Sequence, residues 1–310
     1  MSIQRGSLRL FRFAGVDVFL HWSWFVVAVF EIQYRAKDYA AVQWNILEYL
    51  ALFVIVLMHE YGHALACKQV GGTANRIMLW PLGGVAYVMP PQRPGAVLWS
   101  IAAGPLVNVV LAGLLFAAGI THVLTGGAAR TPDAYHFLVV LLGINLLLLV
   151  FNLLPIYPLD GGQILRALLW FPFGRINSLM IATIIGLVGG AGLVLVAVVM
   201  QSIWIGIVAV FMLMSCWRGL QQSLTLSRVS KAPRRTGFAC PECKKSPPTG
   251  NYWVCSKCRT PFDTFQAQGT CPTCHNRFAT TMCVECGALH PMSEWVVPGT
   301  LAPAPAVPSA

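Results

Sequence analysis

The chain is short of charge. Only 10% of its 310 residues are Asp, Glu, Lys or Arg, against 56% hydrophobic, where a soluble domain carries about 25% charged residues. That shortfall excludes an ordinary soluble globular enzyme, and the wealth of apolar residues excludes disorder over most of the length. Acid is scarcer than base, 11 residues against 21, for a net charge of +10. At a mean hydropathy of +0.66, a basic excess points first to lipid headgroups and the positive-inside bias, and only second to nucleic acid. Cysteine is nearly missing from the first 230 residues, where only Cys67 and Cys216 occur. The other eight form four C-x-x-C pairs between 240 and 286, a spacing that reads as metal knuckles rather than a disulfide framework. Thiolates of that kind need a reducing compartment, which places the tail in the cytosol.

Residues 1–225 hold long apolar stretches, and a span needs about 20 of them. Six are read here, near 17–34, 46–67, 97–120, 136–154, 179–198 and 201–217, with Met200-Gln201-Ser202 as the turn between the last two. The fold expected is mainly α, a polytopic helical bundle. The first stretch is too long for a cleaved signal peptide and has no small-residue cleavage site after it. Thirteen basic residues, among them Arg5, Arg9, Arg12, Lys68, Arg76, Arg93, Arg166, Arg175 and Arg218, fall on one side of this arrangement; Arg35, Lys37 and Arg130 fall on the other. Both termini are therefore expected in the cytosol. Two stretches do not fit simple spans. Residues 72–94 contain Pro81-Leu82-Gly83-Gly84 and alternating Val85, Tyr87 and Met89, the pattern of a short hairpin. Residues 155–174 contain three prolines and an Asp160-Gly161-Gly162 turn, irregular backbone that membrane depth tolerates only where protein or a wet cavity lies beside it.

The second stretch carries His59-Glu60-Tyr61-Gly62-His63. On a helix, positions i and i+4 share a face, so both imidazoles can reach one metal, and Glu60 projects beside them as a candidate general base. Two histidines and a glutamate inside a span are costly to bury and point to a functional site. A catalytic zinc needs a third protein ligand and an open position. Asp160, the sole acidic residue between Asp133 and Glu242, is the first candidate. Cys67 is its rival by continuing the i, i+4 series, although three ligands along one straight helix suit a tetrahedral metal poorly.

His59-Glu60-x-x-His63, then Gly104-Pro105-Leu106-Val107-Asn108, then Asn152-x-x-Pro155-x-x-Pro158-Leu159-Asp160-Gly161 together resemble the site-2 proteases, intramembrane zinc metalloproteases, over roughly residues 10–220. Pro81-Leu82-Gly83-Gly84 is similar to the small bacterial branch related to the sporulation factor-processing protease. The resemblance implies a bacterial or archaeal cell membrane and regulated cleavage of a membrane-spanning protein substrate. It also implies zinc held by His59, His63 and Asp160, with Glu60 as base. It implies a place for Asn108 in the site, donating to the substrate carbonyl or the oxyanion, beside the plainer reading of a polar contact between helices. Asn152 would orient the Asp160 turn, and Gly83-Gly84 would pair with an unwound substrate strand. His21 reads as an interfacial anchor among Trp22 and Trp24; His122 and His136 lie outside.

In the tail, residues 226–239 form a basic linker. Cys240/Cys243, Cys255/Cys258, Cys271/Cys274 and Cys283/Cys286 follow within 240–290. Two sequential zinc ribbons, each closing a four-thiolate site, are the simplest reading; crossed pairing stays open. With the catalytic ion this makes three zinc ions. From residue 226 the tail has nine basic and four acidic residues, and a regulatory protein partner is favoured over nucleic acid. Residues 291–310, Pro- and Ala-rich from 296, read as disordered. Two other functions compete: a catalytically silent relative that binds membrane proteins, and a metal transporter with a cytosolic zinc sensor. Intact Glu60 argues against the first. Ligands clustered at one face, rather than along a path, argue against the second.

Overall fold

The computed structural model describes residues 6–34, 37–80 and 83–297; Pro81 and Leu82 of the hairpin turn lie outside them. The chain divides into two compact units, residues 1–220 and 221–310. The elements of the first are strands β1 (Ser7–Phe13) and β2 (Val16–His21), helices α1 (Ser23–Tyr34) and α2 (Val42–Gln69), strands β3 (Thr73–Trp80) and β4 (Gly83–Met89), and helices α3 (Pro94–Leu124), α4 (Gly127–Arg130), α5 (Pro132–Leu153), α6 (Asp160–Val199) and α7 (Ile203–Lys231). Among the described residues, α2, α3, α5, α6 and α7 are long and apolar enough to cross a membrane.

Their side chains are sorted for a hydrocarbon solvent. On α2 the buried stripe includes Asn45, Glu48, His59, Glu60 and His63, while Leu50, Val54, Met58 and Leu65 face outward. On α3 and α5, Ser100, Asn108 and Asn145 are fully buried while Val110, Leu114, Leu147 and Val150 are exposed. In water this arrangement would be inside out; in lipid it hides these polar groups.

The first expected span, 17–34, is not one helix. Val16, Val18 and Leu20 are buried and Asp17 and Phe19 are not, the period of a strand. The helix that follows has 12 residues, about 18 Å against a core of about 30 Å. The β1–β2 turn at Ala14 accepts a hydrogen bond from Lys68 Nζ at 2.6 Å, at the C-terminal end of α2. Trp24 O, at the start of α1, accepts from Tyr49 OH at 2.5 Å, near the opposite end. The strand thus runs along α2 from Lys68 to Tyr49, and α1 begins where it ends.

The sheet has the order β1-β2-β3-β4. β2 and β3 pair in parallel, and β3 and β4 form the expected hairpin, Ile77 opposite Ala86 and Leu79 opposite Gly84. Val16, Val18, Leu20, Ile77 and Leu79 pack with Val56, Ala64 and Cys67 of α2 in the largest core. Residues 155–174 are also more regular than expected. Only 154–159 form a loop, and Asp160 opens α6 rather than closing the fourth span. Helical geometry is lost at Gly174 alone, at φ 75 and ψ 171, a region essentially restricted to glycine. Met200-Gln201-Ser202 separates α6 from α7.

The second unit contains four knuckles with the same backbone pattern. The N–H groups of Lys244, Arg259, His275 and Gly287 each bond back to the carbonyl of the first cysteine, Cys240, Cys255, Cys271 and Cys283. Strands β5 (Trp253–Val254) and β6 (Pro261–Phe262) flank the second knuckle, and β7 (Thr281–Met282) and β8 (Leu289–His290) the fourth. Trp253, Phe262, Phe265 and Trp295 fill the core. Two expected boundaries change here. The 226–239 linker is helix to Lys231 and then paired chain, with Arg235 N bonded to Pro247 O. Residues 291–297 are ordered: Trp295 is 1% exposed, and Val297 N bonds Gly237 O. The rest of the expected disordered segment, 298–310, lies outside the described residues.

Candidate active site

α2 and the start of α6 bring three ligand atoms to one point. His59 Nε2 and His63 Nε2 are 3.1 Å apart, and Asp160 Oδ2 lies 3.0 Å from the first and 3.3 Å from the second. Ligands bonded to a tetrahedral metal at 2.0–2.1 Å are about 3.3 Å from one another. The other ring nitrogens fix the tautomers. His59 Nδ1 is 2.5 Å from Asn108 Oδ1, and His63 Nδ1 is 3.0 Å from the Ser100 carbonyl. Both partners are acceptors, so each Nδ1 carries the proton and each Nε2 presents a lone pair. Two lone pairs and a carboxylate oxygen then face each other, and Asp160 Oδ2 is buried without a hydrogen bond. Three acceptors this close are mutually repulsive unless a cation sits among them, so the donor set fits a divalent metal.

Neighbouring helices make the convergence sterically feasible. A Cβ at Gly104 of α3 would overlap the His63 ring, so the GPLVN segment begins with the residue that lets α3 approach. Asn108, expected to face substrate, sits behind His59 instead. It is fully buried, its Nδ2 donates to Asn145 Oδ1 at 2.8 Å, and Asn145 Nδ2 returns a bond to the Asn108 carbonyl at 2.8 Å. Fully buried behind the ring and tied to Asn145, it orients His59. Asn145 was absent from the sequence reading, although a single amide inside the apolar run 137–151 was a visible signal. Asn152 turns toward the ligand apex, with Nδ2 3.5 Å from His59 Nε2, rather than bracing the Asp160 turn.

Glu60 is 6% exposed and lies against β4. A Cβ at Gly84 would overlap its Cγ and carboxylate, and the Ala86 backbone N–H is within hydrogen-bonding reach of that carboxylate. Gly84 thus permits close approach, whereas Gly83, at φ 139 with open space around it, serves the turn. Cys67 is not among the ligands: its Sγ lies 3.6 Å from Thr73 O in the core under the sheet. His21 stacks on Trp80 with ring centroids 4.0 Å apart. His122 bonds Thr131, and His136 packs on Tyr39, both apart from this cluster.

The tail cysteines form two further four-ligand groups, and the pairing is nested. Cys240 and Cys243 meet Cys283 and Cys286, and Cys255 and Cys258 meet Cys271 and Cys274. This overturns the sequential pairing: the first and last knuckles enclose the middle two. Sulfur separations of 3.6–3.8 Å match the edge of about 3.8 Å that Zn–S bonds of 2.3 Å require. Hydrogen bonding with Thr260 draws the Cys258 thiol down to about 6. At Cys274 the backbone bond with Asn276 lowers the value, but burial and the neighbouring sulfurs push it up to about 12.

The sequence profile of peptidase family M50 matches residues 48–126 and 117–196, which include His59, His63 and Asp160. The chain belongs to peptidase family M50. Among M50 relatives it is 34% identical to a zinc metalloprotease of Methanocaldococcus jannaschii, over 58% of this chain and 50% of that protein. It is 35% identical to the stage IV sporulation protein FB of Bacillus subtilis, over 43% of this chain and 45% of that protein. The solved site-2 protease from Methanocaldococcus jannaschii superposes with a TM-score of 0.50 at 28% identity, covering 69% of this chain and 95% of that one. The M50 chain spans about half the length of the curated relatives it matches, and it is an integral membrane protein.

Proposed function

We propose that this M50 chain is an intramembrane zinc endopeptidase that cuts a membrane-spanning substrate, as part of regulated proteolysis. The observation that carries the reading is the convergence of His59 Nε2, His63 Nε2 and Asp160 Oδ2 within 3.3 Å of one another, with Glu60 adjacent in the same helix. These three residues would hold zinc. When bound there, the ion polarises a carbonyl and acidifies water, which hydrolysis at neutral pH requires. Glu60 takes the proton of the attacking water and returns it to the leaving amine. The Asn108–Asn145 pair and the Ser100 carbonyl hold the two rings still. Asn152 is the amide nearest the reacting carbonyl.

A helical substrate has its backbone bonds satisfied, so it must unwind before attack, and helix breakers near the cut favour this. β4 is an edge strand. Its outward positions beside Glu60 offer an unwound segment backbone partners by strand addition. The cysteine clusters would each hold a structural zinc, and the tail serves a regulatory protein contact. Both termini are read as cytosolic: Arg218, Arg228, Lys231, Arg234 and Arg235 cluster at and just beyond the end of α7, a reading that takes β2 with α1 as a sixth crossing.

The test uses fluorogenic single-span peptides carrying a helix-breaking residue, co-reconstituted with full-length protein in vesicles. Wild type should cleave members of the panel, and Glu60→Gln should keep its metal while losing cleavage. Full cleavage by Glu60→Gln would refute the mechanism.

A further inference from the structure

Val85, Tyr87 and Met89 of β4 are 47%, 41% and 69% exposed, and neither the sheet core nor the metal site uses them. Register fixes which way they face. Val16, Val18 and Leu20 pack with α2, so Asp17 and Phe19 lie on the other face of the sheet. In β3, Arg76 is level with Asp17 and Met78 with Phe19; in β4, Tyr87 is level with the same Arg76 and Val85 with the same Met78. Contacts agree with this assignment: Arg9 pairs with Asp17 at 2.6 Å, and the Arg76 guanidinium lies 5.1 Å from the Phe19 ring centroid. A face that carries Arg9, Asp17 and Arg76 is wet rather than bathed in acyl chains, so lipid does not account for large side chains exposed there.

The two edges of the sheet are also unlike. β1 carries exposed Arg9 and Arg12 and a bulge between Arg9 and Phe11, devices that keep an edge from pairing. β4 reads Gly-Gly-Val-Ala-Tyr-Val-Met, without a charge. Of the two, β4 is the edge left open to a partner. It is also the one that Glu60 rests against, since a Cβ at Gly84 would lie 2.5 Å from Glu60 Oε1. The open edge is therefore continuous with the catalytic centre, and its occupant is the segment to be cut.

We propose that Val85 and Tyr87 select the substrate by its side chains, an assignment that rests on the hydrolase reading. A strand added to β4 places the residue level with Gly84 on the Glu60 side, so the cut falls there. Toward Met89, the next residue is level with Val85 and the third with Tyr87. Both turn to the wet face, about 5 Å from those side chains. In the other direction the neighbour is Gly83, which has no side chain and open space around it. The preferred substrate therefore carries large apolar residues at the first and third positions on one flank of the cut. It meets no such demand at the first position of the other flank.

The test takes a fluorogenic single-span peptide that the full-length protein cuts in vesicles and locates the cut by mass spectrometry. The positions nearest the cut on each flank are then varied among Ala, Leu and Tyr. Leu or Tyr should raise kcat/KM about tenfold over Ala at the first and third positions of one flank. Ala should serve equally well at the first position of the other. Tyr87→Ala should erase the third-position preference alone and Val85→Ala weaken the first, each with metal content unchanged; Leu8→Ala, on β1, should alter neither. Equal preference at the first position on both flanks, or an intact third-position preference in Tyr87→Ala, would overturn the proposal and leave the hydrolase reading in place. Should Tyr87→Ala not fold, an undiminished first-position preference in Val85→Ala overturns it alone. Cleavage of no peptide in the panel overturns both.

Discussion

At the metal site each ring is held by an acceptor on Nδ1, and this backing distinguishes residues that bind from residues that orient. Asn108→Ala leaves His59 without its partner and the Asn145 amide oxygen without its donor. Metal affinity should fall 10- to 100-fold, read by competition with a chromogenic chelator. Asn152→Ala, which touches no ring nitrogen on the proton-bearing side, should leave that affinity nearly unchanged and lower kcat. Glu60→Gln should lose about 10²–10⁴ in turnover at unchanged metal content. The histidines and Glu60 were legible because a helix turns their spacing into a shared face. The job of Asn108 was not, because it depends on which way α3 rotates against α2, and the glycine that sets this, Gly104, shows its purpose only when His63 is seen where a Cβ would be. Asp160 against Cys67 was decided by the same kind of fact: Cys67 continues the helix face but points under the sheet.

Among elements, α6 turns on one residue. Gly174 has φ 75 and open space around its absent Cβ, so the constraint is conformational rather than steric. Gly174→Ala should cost about 1–3 kcal/mol and lower the melting temperature in detergent, whereas Gly113→Ala, also in open space but within a regular helix, should not lower it. The hairpin β3–β4 was visible in its alternation. β2 was not, although Val16, Val18 and Leu20 alternate just as clearly, because Phe19 and the apolar run after Ser23 raise the whole stretch to the average of a span. Nested pairing in the tail was hidden for a different reason. Four identical C-x-x-C units have no local feature that selects partners; the choice is made by Trp253, Phe265 and Trp295 packing between them. Cys240→Ser/Cys283→Ser should therefore release one zinc and Cys240→Ser/Cys255→Ser two; sequential pairing gives two for the first, while the second then releases one.

For the whole molecule, composition predicted a helical membrane unit and a cysteine-rich tail, and both exist, with the division near residue 220 rather than after a long linker. The polar-in, apolar-out sorting of the long helices follows from solvent alone, so the class of fold was readable from hydropathy. The division of 17–34 into a strand and a short helix was not, since hydropathy records how apolar a segment is and not its conformation. Three separate ligand groups give the account its most direct test: zinc content per chain of the full-length protein purified in detergent, measured by mass spectrometry beside His59→Ala/His63→Ala. The account predicts three ions falling to two, with the tail sites untouched. Equal zinc content in the two proteins would contradict a metal at His59, His63 and Asp160, and with it the hydrolase.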